Sequence, residues 1–170
     1  MSPETTAPPA APTADAPERG PIRVIFICTG NSARSQMAEA LLRHDGAGRF
    51  HVVSAGVNPR GVHPMTVTAL GKVGIDISDA TSKPVGMFLG QRFDYVITVC
   101  DRARETCPVF PGSENTLHWG LDDPAEAPGT TDQRRDAYRR TRDELVLRLR
   151  PFVEIARRSA GRRPVGSGLA

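Results

Sequence analysis

Ile22-Arg23-Val24-Ile25-Phe26-Ile27-Cys28-Thr29-Gly30-Asn31-Ser32-Ala33-Arg34-Ser35 joins an apolar run to a short loop bounded by a cysteine and an arginine. It opens on a near-continuous apolar, β-branched run, Ile22 to Ile27, the pattern of a strand covered on both faces in a parallel sheet. The segment after it, Gln36 to His44, carries Met37, Ala38, Leu41 and Leu42 at helical spacing, which buries one helical face against that sheet. Between them, Cys28 to Ser35 is a loop leading into a helix N-terminus. Such a loop aims backbone N–H groups and the helix dipole at one spot, and so cradles an anion. Cys28 and Arg34 stand near its two ends, and the same positive field favours a thiolate. Thr29, Gly30, Asn31, Ser32, Ala33, Arg34 and Ser35 are therefore the candidate oxyanion-binding residues. Cys28 is the candidate nucleophile, and Ser35 is placed to hydrogen-bond its sulfur. The bland alternative is a buried cysteine closing a strand beside an ordinary surface arginine. It suits a lone cysteine better than the full Cys-x5-Arg-Ser pattern.

Beyond the first helix, His51 to Ser54 is a second short strand ended by Ala55-Gly56. Pro64 opens another helix, with apolar Val67, Leu70 and Val73 ahead of a terminating Gly74. Tyr95 to Val99 is a third buried strand and delivers Cys100 at its C-terminal end. Thr116 to Trp119 is the fourth, and Asp122-Asp123-Pro124 begins a loop. From Asp132, the spacing of Tyr138, Leu145 and Leu149 describes a long amphipathic helix, which Pro151 is expected to kink or divide before Phe152, Val153 and Ile155. Alternating strands and helices predict an α/β fold: a doubly wound, four-stranded parallel sheet flanked by helices, with its ligand outside the C-terminal strand ends. Cys28, Cys100 and Asp123 all fall at that edge.

A chain of 170 residues suits one domain, expected over 21–157. Residues 1–20, rich in Pro, Ala and Thr, and the basic, aperiodic 158–170 are expected to be disordered tails. No apolar core of a secretory signal and no run near the roughly twenty residues of a membrane span are visible, so a cytoplasmic protein without a membrane partner is expected. The net charge of +3 is modest and its Lys and Arg form no nucleic-acid footprint. In a reducing compartment, three cysteines point to redox or catalytic chemistry rather than a disulfide framework.

Cys100 and Cys107 bracket Asp101-Arg102-Ala103-Arg104-Glu105-Thr106, too polar for core, so both thiols are expected to be exposed part of the time. Zinc is one reading, although the gap is longer than the Cys-x2-4-Cys of most structural sites and no second pair exists. Two independent buried thiols are another, and a disulfide relay through Cys28, Cys100 and Cys107 is the third. Asp122 and Asp123 offer a general acid or merely solvated carboxylates. His118 beside Trp119 reads as a structural or supporting residue, and His44, His51 and His63 show no partner pattern.

Cys28-Thr29-Gly30-Asn31-Ser32-x-Arg34-Ser35 with Met37-Ala38-Glu39-Ala40, Ser54-Ala55-Gly56, Cys100-x6-Cys107-Pro108 and His118-Trp119-Gly120-x-Asp122-Asp123-Pro124 together resemble the thioredoxin-coupled arsenate reductases of the low-molecular-weight tyrosine phosphatase superfamily. The resemblance spans residues 22 to 156. It implies that Cys28 attacks arsenate held by Arg34 and the loop amides, while Asp123 protonates the leaving hydroxyl. Cys100 then attacks the Cys28 sulfur, releasing arsenite and a Cys28–Cys100 disulfide, and Cys107 resolves this to Cys100–Cys107. It further implies thioredoxin as external reductant, phosphate or sulfate as competing oxyanions, no bound cofactor or metal and a monomer. Some members hold a potassium ion near the loop. Asn31, Glu39 and Ser54 match three of its ligand positions, and Lys83 stands at the fourth, where its ammonium replaces the cation.

Three rivals remain. A phosphatase acting on phosphotyrosine or small phosphate esters would use the same loop but needs no Cys100/Cys107 pair. A non-enzymatic thiol redox or arsenic sensor would show no turnover. A reductase recycled by mycothiol or through glutaredoxin would need fewer protein cysteines than this chain carries.

Overall fold

In the computed structural model, which describes residues 20–162, the opening apolar run is strand β1 (Ile22–Cys28). It pairs in parallel with β2 (Phe50–Gly56) on one side and β3 (Tyr95–Thr98) on the other, and β3 carries β4 (Asn115–His118). The order β2-β1-β3-β4 makes β1 an inner strand, which is why Val24, Ile25, Phe26 and Ile27 are all apolar and all fully buried. Each such side chain contributes about 1.5–3 kcal/mol. The chain leaves β1 to one side and later returns on the other as β3. Their C-terminal ends therefore flank the point where the winding reverses and the loops diverge into a crevice. Cys28 closes β1, and Cys100 follows β3.

Among the described residues four α-helices complete the doubly wound fold: α1 (Arg34–Asp45), α2 (Pro64–Gly71), α3 (Asp101–Thr106) and α4 (Thr131–Arg162). α1 packs on β1 and β2 and against α4, which also covers α2. The α4 residues Tyr138, Leu145, Leu149, Phe152 and Ala156 enter the core. The Phe152 ring stands edge-on to Tyr95 at 5.0 Å and to Trp119 at 5.7 Å, and Trp119 lies 5.9 Å from Phe26. Trp119 thereby pins the chain leaving β4 just before it reaches the crevice.

The structure corrects three expectations. Pro151 does not divide α4, which runs unbroken to Arg162, past the domain boundary expected at 157. Proline deprives the Leu147 carbonyl of its N–H partner, but Leu147 sits on the exposed side, where water can replace it, while Phe152 and Ala156 keep the buried face in step. The polar stretch between Cys100 and Cys107 is a helix, α3, and Cys100, expected to be exposed part of the time, is buried at its start in this structure. α2 stops at Gly71, ahead of the expected Gly74. The expected tails at 1–19 and 163–170 lie outside the described residues. Among the described residues no helix is long and apolar enough to cross a membrane.

Candidate active site

The loop after β1 is held by side chains buried beneath it. Asn31 adopts φ 46°, a left-handed conformation that asparagine tolerates better than most residues. Its Nδ2 donates to Ser35 Oγ (2.8 Å) and Ser54 Oγ (2.9 Å), and its Oδ1 accepts from Gln36 Nε2 (2.9 Å) and the Lys83 backbone N–H (2.8 Å). Gly56 lets the loop pass: a Cβ there would stand 2.7 Å from the Thr29 carbonyl oxygen and 2.8 Å from the Asn31 nitrogen. Asn31→Ala is expected to cost about 2–4 kcal/mol, because it strands buried partners and forces alanine into the left-handed region. Urea unfolding measures this, and a loss under about 0.5 kcal/mol would mean that the network does not hold the loop.

The same network fixes which way protons point. Ser54 Oγ donates a short hydrogen bond to Glu39 Oε2, so it can accept from Asn31. Ser35 Oγ likewise accepts from Asn31, leaving its one proton for Cys28 Sγ at 2.8 Å. The Asn31 backbone N–H donates to that sulfur as well, at 3.1 Å. Two donors thus converge on a thiol that is 2% exposed.

Arg34 begins α1, whose N-cap, Ala33, supplies no side-chain hydrogen bond and so leaves that helix end to a ligand. Its guanidinium donates to the Leu121 carbonyl (3.1 Å) and to Asp123 Oδ2 (3.0 Å). Asp123 itself caps the short turn Pro124–Glu126 through Ala125 N–H (3.0 Å). Trp119 anchors this segment, so the acid stands opposite the loop with little freedom. Asp122, by contrast, is exposed. Between them opens a cavity of about 570 Å³ lined by Thr29, Ser32, Arg34, Arg60, Cys100 and Asp123 among others.

Cys100 meets the loop through Thr29, whose Oγ1 lies 3.3 Å from the Cys100 sulfur. That sulfur also accepts from Ala103 N–H at 3.4 Å, as the N-cap of α3. Cys107 stands at the other end of α3, half-buried, and burial pushes its thiol up from the ordinary value. The structure therefore brings together Cys28, Arg34, Cys100, Asp123 and the loop from Thr29 to Ser35, and holds Cys107 apart.

Some contributors escaped the sequence reading. Arg60 and Arg102 line the cavity. His63 caps α2 by accepting from Met65 N–H (3.0 Å) and stacks on Tyr138 at 5.0 Å. Its position just before Pro64 was the available signal. His118, expected as a structural or supporting residue, lies 2.8 Å from Asp101, a partner that local sequence does not announce. At the expected cation position, Lys83 Nζ lies 3.5 Å from Glu39 Oε2 and 3.3 Å from the Thr81 carbonyl oxygen, while Arg43 pairs with the other Glu39 oxygen at 2.7 Å. With its carboxylate already shared by two cationic side chains, this set does not fit a potassium ion.

A Cys-x5-Arg loop at the switch point of a parallel sheet, faced by an aspartate before proline, defines a class of cysteine enzymes that act on tetrahedral oxyanions. The chain belongs to the low molecular weight phosphotyrosine protein phosphatase family, which it matches over residues 23–160. Within it, the chain is 42% identical over 134 residues to an arsenate reductase of Halalkalibacterium halodurans, an alignment covering 79% of this chain and 96% of that one. Among solved structures, an arsenate reductase in the phosphate-binding state superposes with a TM-score of 0.70 at 32% identity, covering 79% of this chain and 98% of that one. The thioredoxin-dependent arsenate reductase of Corynebacterium glutamicum does so with a TM-score of 0.60 at 30% identity, over 82% of this chain and 65% of its own length.

Proposed function

We propose that this protein reduces arsenate to arsenite through a Cys28/Cys100/Cys107 relay recycled by thioredoxin. The observation that carries the reading is the meeting of Cys28 and Cys100 across Thr29 at the switch point, opposite the Arg34–Asp123 pair. Arg34 exchanges part of its hold on Asp123 for the anion, and the loop amides and α1 N-terminus take the remaining oxygens. Cys28 attacks arsenic, and Asp123, once protonated, gives its proton to the departing hydroxyl, which leaves as water. Cys100 then attacks the Cys28 sulfur. The S–As bond breaks with its electron pair moving to arsenic, so As(V) becomes As(III), arsenite leaves, and Cys28 and Cys100 are joined. Cys107 attacks Cys100 and frees Cys28 as a thiolate. The thioredoxin dithiol takes up the oxidising equivalent by reducing Cys100–Cys107.

A phosphatase needs the loop, Arg34 and Asp123 but has no use for Cys100 and Cys107, which is what favours reduction. The test is NADPH consumption on arsenate with thioredoxin and its reductase, run beside mycothiol and glutaredoxin systems and a phosphate-ester assay. Turnover supported by thioredoxin is expected. Phosphate-ester hydrolysis without arsenite formation would reject the reading, and arsenite capped at one molecule per chain with every reductant would favour a sensor. Because Lys83 already serves Glu39, exchanging potassium for sodium at constant ionic strength is expected to leave the KM for arsenate unchanged. A severalfold change would show that a metal ion still binds there.

A further inference from the structure

α3 lies between two of the three cysteines, and its N-terminus is tied to the sheet by a contact the relay does not use. His118, the last residue of β4, is the register partner of Thr98 on β3. Its Nδ1 lies 2.8 Å from Thr98 Oγ1 and its Nε2 lies 2.8 Å from Asp101 Oδ1. A carboxylate only accepts, so Nε2 bears the proton and donates to Asp101, while Nδ1 meets the Thr98 hydroxyl, which also lies 3.4 Å from the Leu117 carbonyl. Asp101 is the first residue of α3 and directly follows Cys100. The imidazole therefore runs as a strut from the sheet to the peptide next to the Cys100 sulfur. Thr29 touches that sulfur from the loop side. Cys100 is thus fixed between the two, while α3 has only six residues and one buried side chain, Ala103, to hold it.

We infer that His118 is a positioning residue which, through Asp101, holds the start of α3 so that Cys100 faces the Cys28 sulfur when arsenic departs. This rests on the relay reading. Displacement of an S–As bond needs an attacking sulfur in line and in reach, and a misplacement of about 1 Å can cost about 10²-fold. The strut acts only after arsenate has bound and Cys28 has attacked it. Arsenate binding and the first attack depend on the loop, Arg34 and Asp123, so loss of the strut lowers kcat and leaves KM in place.

The experiment uses full-length Cys107→Ser, in which the relay ends at Cys28–Cys100, and follows arsenite release and the trapped disulfide by quenched-flow thiol blocking and mass spectrometry. Adding His118→Asn, which removes the donor to Asp101, is expected to slow disulfide formation about tenfold. His118→Gln, whose Nε2 lies near that of histidine, is expected to recover most of that loss. Asp101 is 84% exposed, so Asp101→Ala tests the contact without disturbing the core and is expected to reproduce His118→Asn. In both His118 variants the KM for arsenate with the three-cysteine chain stays near the parent value. Equal rates for His118→Asn and His118→Gln, or an unchanged rate in Asp101→Ala, would overturn the strut. If Cys107→Ser alone forms no Cys28–Cys100 bond, the relay has failed instead, and the two failures are told apart in one experiment.

Discussion

Cys28→Ser is expected to bring arsenate-dependent NADPH consumption to background while leaving phosphate binding within a few-fold of the parent protein. The oxygen replaces sulfur where the Ser35 hydroxyl and the Asn31 N–H converge. Arg34, the loop amides and the α1 N-terminus are untouched, so the anion is still held. Two separate losses follow. A serine hydroxyl is far harder to ionise than a thiol, and the groups that converge on it are donors rather than a general base, so attack on arsenic fails. Even an arsenate ester formed on the introduced hydroxyl would be a dead end, because Cys100 draws the electron pair onto arsenic only by forming an S–S bond. The effect on kcat is therefore complete, unlike the graded loss expected on removing an acid or a positioning residue. Phosphate titration calorimetry beside the coupled assay separates the two quantities, and repeated arsenite formation by Cys28→Ser would remove Cys28 from the chemistry.

The parts of this site that could be read from sequence are those written in consecutive residues. The run Ile22 to Ile27 is apolar at every position but Arg23 because β1 is an inner strand. The loop is contiguous, so its cysteine, arginine and serine are in reach of one another by chain geometry alone. Trp119 and Asp123 were legible as one segment for the same reason. What stayed hidden depends on partners far apart in the chain. α3 has no apolar periodicity, since its Asp-Arg-Ala-Arg-Glu-Thr face is solvated. Its start is capped by Cys100 and met by His118, seventeen positions beyond Asp101. The Arg34–Asp123 pair spans 89 positions, and nothing local announces that the arginine rests on the acid before an anion arrives. Pro151 acts in the opposite sense, as a strong local breaker that Phe152 and Ala156, packing on the buried face, override.

Cys107→Ser is expected to release one arsenite per chain with thioredoxin as sole reductant and then stop, holding a Cys28–Cys100 disulfide. Burial decides this outcome. Cys28 is 2% and Cys100 4% exposed, so a bond between them is out of reach of a protein reductant. Cys107 is only half-buried and is followed closely by Val109, at 85% exposure, so it is the sulfur that can carry the oxidising equivalent outward. It cannot do so while α3 is intact. Cys100 and Cys107 are the N-cap and C-cap of one helix, about 10 Å apart along the axis at about 1.5 Å per residue. A disulfide requires Cα atoms within about 4.4–6.8 Å. α3 must therefore unwind, which its one buried side chain and six-residue length make inexpensive. Unwinding also relieves the burial that pushes the Cys107 thiol up, so the same motion brings the resolving sulfur near and makes it a better thiolate. A small dithiol at millimolar concentration should restart Cys107→Ser slowly, since it can enter where thioredoxin cannot. Fast multiple turnover of Cys107→Ser with thioredoxin alone would mean that the buried pair is reduced directly and that α3 has no need to open.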